Sequence, residues 1–429
     1  MRRSILWGAG ILLLAVACVR LALPPDVAAA SSAKIIYSFA GADGASPESD
    51  LIMDAAGNLY GTTYEGGTGC NVYGCGTVFE LIRTQDGWKH QVLYSFGGSQ
   101  NDGTGPTAGL VLDSAGNLYG TTGGGGYNCY GGGCGTVFKL GRNPHGGWTE
   151  SILYSFTGSN GDGANPNTDL VFDSRGNLYG TTSFGGGSGR GCFLGCGIVF
   201  KLTPNQNGTW TESTIYVFAG APDGDYPASA VAMDVDGNIY GATAYGGTET
   251  CAGGPFRGCG SVYKLTPNSG GGWTETLLYS FHRFQGTARY PSGGFLLTSD
   301  GRILGTSVEG GDRFGAVFQV EQTKKGWEQT VLYRFYGPDG AYPVGRLARG
   351  PSGILYGATA SGGVNPPGWG TVFELKQANG KWRERVLSSG NSTDYNPQAG
   401  PIVDSRGHVY GTLAGSYGGS FGAVYEIVP

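Results

Sequence analysis

The 429 residues carry a formal net charge of −5 and only 14% charged side chains, which leaves no basic field for nucleic acid or anionic lipid. Glycine and proline together make up about a quarter of the chain, close to the level of a disordered polymer. Yet 25 Tyr, 19 Phe and 8 Trp recur in a regular pattern, and a solvated chain has no use for periodic aromatics, so disorder is excluded.

The chain opens with MRRSILWGAGILLLAVACVRLALPPDVAAASS: two arginines, an apolar run and a small-residue end, the layout of a secretory signal. Residues 1–30 are expected to be that signal, cut after Ala30, and residues 31–429 to form one domain outside the cytoplasm. A lipoprotein cut before Cys18 is the rival reading. No later segment is apolar for long enough to span a bilayer.

A strand, KIIYSF at residues 34–39, comes next, and its tag (I/L/V)YSF returns around Tyr94, Tyr154, Tyr216, Tyr279 and Tyr333 and degenerates at Leu387-Ser388-Ser389. A second tag, GNLYGTT, is whole at Gly57, Gly116 and Gly176 and returns as GNIYGAT, GRILGTS, GILYGAT and GHVYGTL. The third, G-x-V-(F/Y), starts at Gly76, Gly135, Gly197, Gly260, Gly315, Gly370 and Gly422. Each unit therefore reads as four short strands, in the second unit GLVLD, NLYGTT, GTVFKL and WTESILYSF. Turn residues separate them, with Asp113 able to hydrogen-bond backbone amides and Gly116 supplying a positive φ. A lone four-stranded sheet cannot cover both its faces, and seven such sheets at this spacing argue for an all-β, seven-bladed β-propeller. The last unit stops after its third strand while the chain begins with a spare fourth strand, so residues 34–39 are expected to complete the last blade and close the ring.

These tags resemble the GloVer tandem-repeat family of exported bacterial proteins across nearly the whole mature chain. The resemblance implies export and tandem repetition and brings no activity with it. The expected location is accordingly secreted, periplasmic or on the surface of a bacterium.

Cysteines fall in pairs between the second and third strands of the first four units: Cys70/Cys75, Cys129/Cys134, Cys192/Cys196 and Cys251/Cys259. The spacing within pairs varies too much for a repeated metal clasp, and no histidine lies near them. In an exported chain they read as one disulfide across each loop.

Candidate chemistry is sparse. Asp43, Asp102, Asp162, Asp223 and Asp339 stand in a recurrent Asp-Gly before the first strand of a unit, where Asp caps a turn. Trp88, Trp148, Trp210, Trp273, Trp327 and Trp382 each begin a fourth strand and are read as packing between blades. His90, His145, His282 and His408 occupy different repeat positions and assemble no triad or metal cluster. No metal and no cofactor are expected. Symmetry breaking is the better guide to a site: at the proline of the lead-in loop, units four to seven carry Tyr226, Tyr290, Tyr342 and, one place earlier, Tyr395, where units one to three carry Ser46, Gly105 and Asn165. With Trp369 and Arg289 these make an aromatic sector suited to sugar rings or a partner's surface. The reading is a non-catalytic, monomeric propeller that binds a glycan or surface protein through its loop face. Its rivals are a carbohydrate- or lactone-active hydrolase or lyase at the axial mouth, using acidic residues with His282 or Arg289, and a purely structural surface protein.

Overall fold

The computed structural model describes residues 33–429 apart from 71–72, 98–100, 127–131, 188–191, 252–257, 285, 311–312, 365–367, 391–395 and 416–419. The described strands form seven antiparallel blade sheets with four strand positions each, ordered from the first strand of the unit to the fourth, and two short two-stranded ladders, Gly103–Thr104 with Gly124–Gly125 and Gly163–Ala164 with Phe184–Gly185. In blade one these are Ile52–Met53, Leu59–Thr63, Thr77–Thr84 and Gly87–Ser95. Blades five and six have longer inner strands, Ala288–Leu297 and Ala341–Arg349. Blade four splits its inner strand into Gly224–Pro227 and Ala232–Met233 on one partner. No helix among the described residues is long and apolar enough to cross a membrane.

Closure follows the expectation. Lys34–Ser38 pairs antiparallel with Ala423–Ile427, so the first strand of the chain is the fourth of the last blade. Phe39, buried at 5%, then packs edge-on against Phe79 of blade one at 5.1 Å.

That contact is one of a series. The Phe after each fourth strand meets the aromatic of the next blade's third strand: Phe96 with Phe138, Phe156 with Phe200, Phe218 with Tyr263, Phe281 with Phe318 and Phe335 with Phe373, all at 5.0 to 5.2 Å. Edge-to-face rings at this separation add to what burial alone supplies. Between blades six and seven the series lapses, because Gly390 stands where the others have Phe. The tryptophans also bridge neighbours, Trp88 against Tyr410 and Trp210 against Tyr119.

Alternation along a strand allows every second residue to be buried, yet the fourth strands carry two apolar residues in a row before Tyr. A β-bulge resolves this in all seven blades: in blade one Val78 pairs with Tyr94 and Phe79 with Val92, leaving Leu93 extra. The bulge turns Leu93, Leu278 and Leu387 inward, each less than a tenth exposed.

Candidate functional site

Antiparallel order puts the lead-in loops and the loops between second and third strands on one face, and the two hairpin turns of each blade on the other. On the hairpin face Asp113 accepts N–H bonds from Ala115 and Asn117, the Asn117 side-chain amide and the Tyr119 hydroxyl. Asp54, Asp173 and Asp234 repeat this. Turn chemistry accounts for these carboxylates, and the face also holds a hollow of about 410 Å³ between the turns of blades one and two, lined by Asn58, Glu80, Arg142 and Trp148.

The loop face is different in kind. Among the described residues, every aromatic ring counted as exposed lies there, from Tyr64 at 43% and Tyr73 at 72% in blade one through Phe193, Phe284 and Phe314 to Phe421 in blade seven. Its relief is set at the residue before the lead-in proline. Ser46, Gly105, Asn165, Tyr226, Tyr290 and Tyr342 all adopt left-handed backbone, φ 53° to 61°. This turn aims each N–H at the carbonyl just ahead of the neighbouring blade's third strand: Gly105 at Cys75, Tyr226 at Cys196 and Tyr290 at Cys259, at 2.9 to 3.1 Å. The proline then lies on the neighbour's glycine, and a Cβ on Gly135 would sit 2.5 Å from Pro166 Cδ. Glycine is therefore required at that third-strand start.

The disulfides brace those acceptor carbonyls. Cys70–Cys75, Cys192–Cys196 and Cys251–Cys259 are formed, and Cys134 is disulfide-bonded. Cys129 lies outside the described residues. Disulfides fit a non-reducing, extracellular environment. Asp225 lies beside Cys192 and Cys196, but the joined sulfurs offer no thiolate to a metal.

Of the residues singled out from the sequence, Tyr226 and Tyr290 lie half-buried on the loop face in one aromatic row, Phe184–Tyr226–Tyr245–Tyr290, with ring separations of 5.3 to 5.9 Å. Arg289 lies over Tyr290 and is ion-paired with Glu309 at 3.0 Å. Tyr342 is 41% exposed. Trp369 is half-buried and bridged to Gly362, and Tyr395 lies outside the described residues. His282 sits 3.7 Å from Glu249. Neither His282 nor Arg289 lines the axial channel.

The large cavity is over the other half of the face. A cleft of about 770 Å³ spans blades one to three, walled by Tyr64, Tyr73, Glu48 and Glu65 and floored by Gly105, Gly124, Asn165 and Asn167. It exists because the pre-proline residues are small here and blade two contributes Gly124 where blades three and four place Phe184 and Tyr245. Cys70–Cys75 staples the loop that carries Tyr73. Burial, and then the nearby Glu65 charge, raise the Glu48 carboxyl above its ordinary range.

The cleft shares Glu48, Thr107 and Asn167 with an axial cavity of about 220 Å³ lined from all seven blades. Besides Glu48, Asp50, Asp169 and Arg346 meet there. Asp50 accepts the Gly400 N–H and Asp169 the Gly109 N–H, both at 2.6 Å. Burial and then Asp169 push Asp50 up to about 7, against the pull of Arg346. A singular carboxylate pair was missed in the sequence, although a signal was there: three residues after the loop proline, the units read Asp50, Gly109, Asp169, Ala230, Gly294, Arg346 and Gly400. Likewise, Glu48 is the sole acid and Tyr64 the sole large aromatic at their repeat positions.

No curated protein matches this chain. Among solved structures it is similar to a proposed gluconolactonase (14% identity, 84% of this chain and 95% of that one, TM-score 0.41). A protein of unknown function from Dyadobacter fermentans matches at 11% identity, 93% and 98% coverage and TM-score 0.45. A proposed oxidoreductase (glucose dehydrogenase) from Thermus thermophilus matches at 14% identity, 83% and 99% coverage and TM-score 0.44. Likenesses this distant carry no inference about this chain's chemistry. The repeat pattern is specific: the Gloeobacter/Verrucomicrobia repeat matches residues 26–194 and 249–429. With its tags repeated around a closed ring of seven blades, the chain belongs to the Gloeobacter/Verrucomicrobia repeat family.

Proposed function

We propose that this chain is an exported, non-catalytic binding protein whose loop face takes a glycan in the cleft over blades one to three. The single observation that carries the reading is the cleft itself, a cavity of about 770 Å³ on the loop face walled by the exposed rings of Tyr64 and Tyr73. Sugars offer apolar ring faces and many hydroxyls, and a wall of Tyr64 and Tyr73 over a floor of glycine backbone, Asn165 and Asn167 answers both. Tyr226, Tyr290 and Tyr342, with Tyr395, Trp369 and Arg289, form the opposite rim in this reading and extend the contact of a long polymer. Isothermal titration with tetrasaccharides on the mature protein tests it. Micromolar to millimolar binding that Tyr73→Ala weakens about tenfold, at unchanged melting temperature, supports the cleft. Absence of binding to every glycan overturns the reading.

A second reading is favoured by one observation, the Asp50–Asp169 pair in the axial mouth. A carboxyl raised to about 7 can donate a proton at neutral pH, the property a hydrolase or lyase needs of its acid. A panel of glycosidase and lactonase substrates, assayed on the protein and on Asp50→Asn, decides it: turnover lost in the variant establishes catalysis.

A further inference from the structure

The charge of the cleft narrows the ligand. Glu48 and Glu65 are the acids in its wall, and no Lys, Arg or His is among its described lining residues. Among the described residues, the arginines of the loop face are Arg283, Arg289, Arg313, Arg334 and Arg346, all on the lead-in loops, strands and loops of blades five and six. Of these, Arg289 is held by Glu309, Arg334 by the Gly286 carbonyl, and Arg346 reaches the axial mouth rather than the cleft. Among the described residues, the loop-face arginines thus cluster over blades five and six, beside Glu309 and Asp339, apart from the two acids of the cleft wall.

Resting on the glycan reading above, we infer that the cleft binds an amine-bearing glycan, a polymer of amino sugars whose free ammonium groups lie against Glu48 and Glu65 beneath Tyr64 and Tyr73. Two carboxylates without a protein cation repel each other, and a ligand ammonium removes that repulsion while donating up to three hydrogen bonds. Tyrosine faces attract cations in the same way. Uronate polymers meet like charge and are excluded. A basic peptide shares the charge but not the ring faces and hydroxyls of a sugar, so the tetralysine arm of the test separates the two. Glycine backbone and Asn165, Asn167, Thr104 and Thr107 instead offer mixed donors and acceptors to hydroxyls.

The test is isothermal titration of the full mature protein at about pH 6, where an amine carries its proton, with four probes: tetramers of glucosamine, of N-acetylglucosamine and of galacturonate, and tetralysine. The glucosamine tetramer is expected to bind at least about tenfold tighter than its acetylated counterpart and to weaken with added salt, while the galacturonate tetramer does not bind. Glu48→Gln and Glu65→Gln should bring the two aminohexose tetramers to parity, with melting temperatures recorded to show that both variants fold. Equal or tighter binding of the acetylated tetramer, untouched by the two Gln variants, overturns the amine assignment and leaves the glycan reading standing. Tetralysine binding as tightly as the glucosamine tetramer means that the cleft reads charge alone, which overturns the assignment to a glycan. If no probe binds, the amine assignment falls, and the wider tetrasaccharide titration above decides the glycan reading separately.

Discussion

The lead-in tyrosines show how one backbone demand is met by unlike residues. The position takes a left-handed turn in blades one to six, a conformation that Gly and Asn reach easily and Tyr does not. Ser46, Gly105 and Asn165 therefore look like ordinary turn residues in the sequence, whereas Tyr226, Tyr290 and Tyr342 carry backbone strain that their rings must offset. The rings are not equally engaged. Tyr226 lies between Phe184 and Tyr245, and Tyr290 packs on a buried cluster containing Phe281 and Phe295. Replacing Tyr226 by Ala should destabilise by about 1–3 kcal/mol. Tyr342→Asn, at an exposed site with φ 56°, should leave the melting temperature within about 2 °C or raise it. Thermal melts of the two variants check this; a large loss for Tyr342→Asn contradicts it. The tyrosine pattern was legible as broken symmetry, but its cause was not, because φ leaves no mark on a residue that tolerates it badly.

At the scale of the strand and its lead-in turn, the fourth strands hold a repeated carboxyl pair across the blade seam. The Asp of the turn accepts the Tyr hydroxyl of the strand before it, as in Tyr94 to Asp102, Tyr216 to Asp223 and Tyr333 to Asp339, and it also caps turn amides, Gly97 and Gly103 in the case of Asp102. A Glu of the next blade's fourth strand faces it. Burial, then the paired Asp, push Glu150, Glu212 and Glu275 up to about 7 and Glu384 up to about 8. Blade five has Gln329 at this place and blade one His90, whose pKa burial lowers against the pull of Asp43. The unfolded chain releases a Glu proton near about 4.3, whereas the fold retains it to 7 or 8, so between these values the folded state holds more protons and stability falls as pH rises. His90 acts in the opposite sense, since its neutral form is the folded one, and four Glu and Asp50 outnumber it. The melting temperature should therefore rise from about pH 8 to about pH 5. Glu212→Gln, copying blade five, should raise it by about 1–3 °C at pH 8 and leave it unchanged at pH 5. A melting temperature that falls steadily from pH 8 to pH 5 contradicts the pairing. The Asp-Gly turns were readable in the sequence, but their Glu partners were not, because they lie about 45–52 residues downstream, on the last strand of the unit that the turn introduces, and meet only when that blade packs on the one before it. The bulge was equally hidden, showing only as a lapse in strand alternation.

For the whole molecule, seven repeats of three tags and the unpaired first strand were enough to read the ring, since a repeated pattern needs no tertiary detail to be counted. Removing residues 34–39 should lower the melting temperature by on the order of 10 °C or cause association, because it exposes the Ala423–Ile427 edge and removes Phe39. A truncated protein that melts like the full one and stays monomeric refutes closure. The cleft was less legible. It is defined by what is missing, small residues at Gly105, Gly123 and Gly124, and by Glu48 and Tyr64, each singular at a repeat position that only superposed blades bring into comparison. The claim that blades one to three form the binding sector is tested most directly by hydrogen–deuterium exchange of the full mature protein with and without saturating glucosamine tetramer. The account predicts slowed exchange in the loops around residues 64–75, 104–107 and 123–126, with the loops bearing Tyr290 and Tyr342 little changed. Protection confined to the blade four to six loops or to the hairpin face, or none at all, would contradict it.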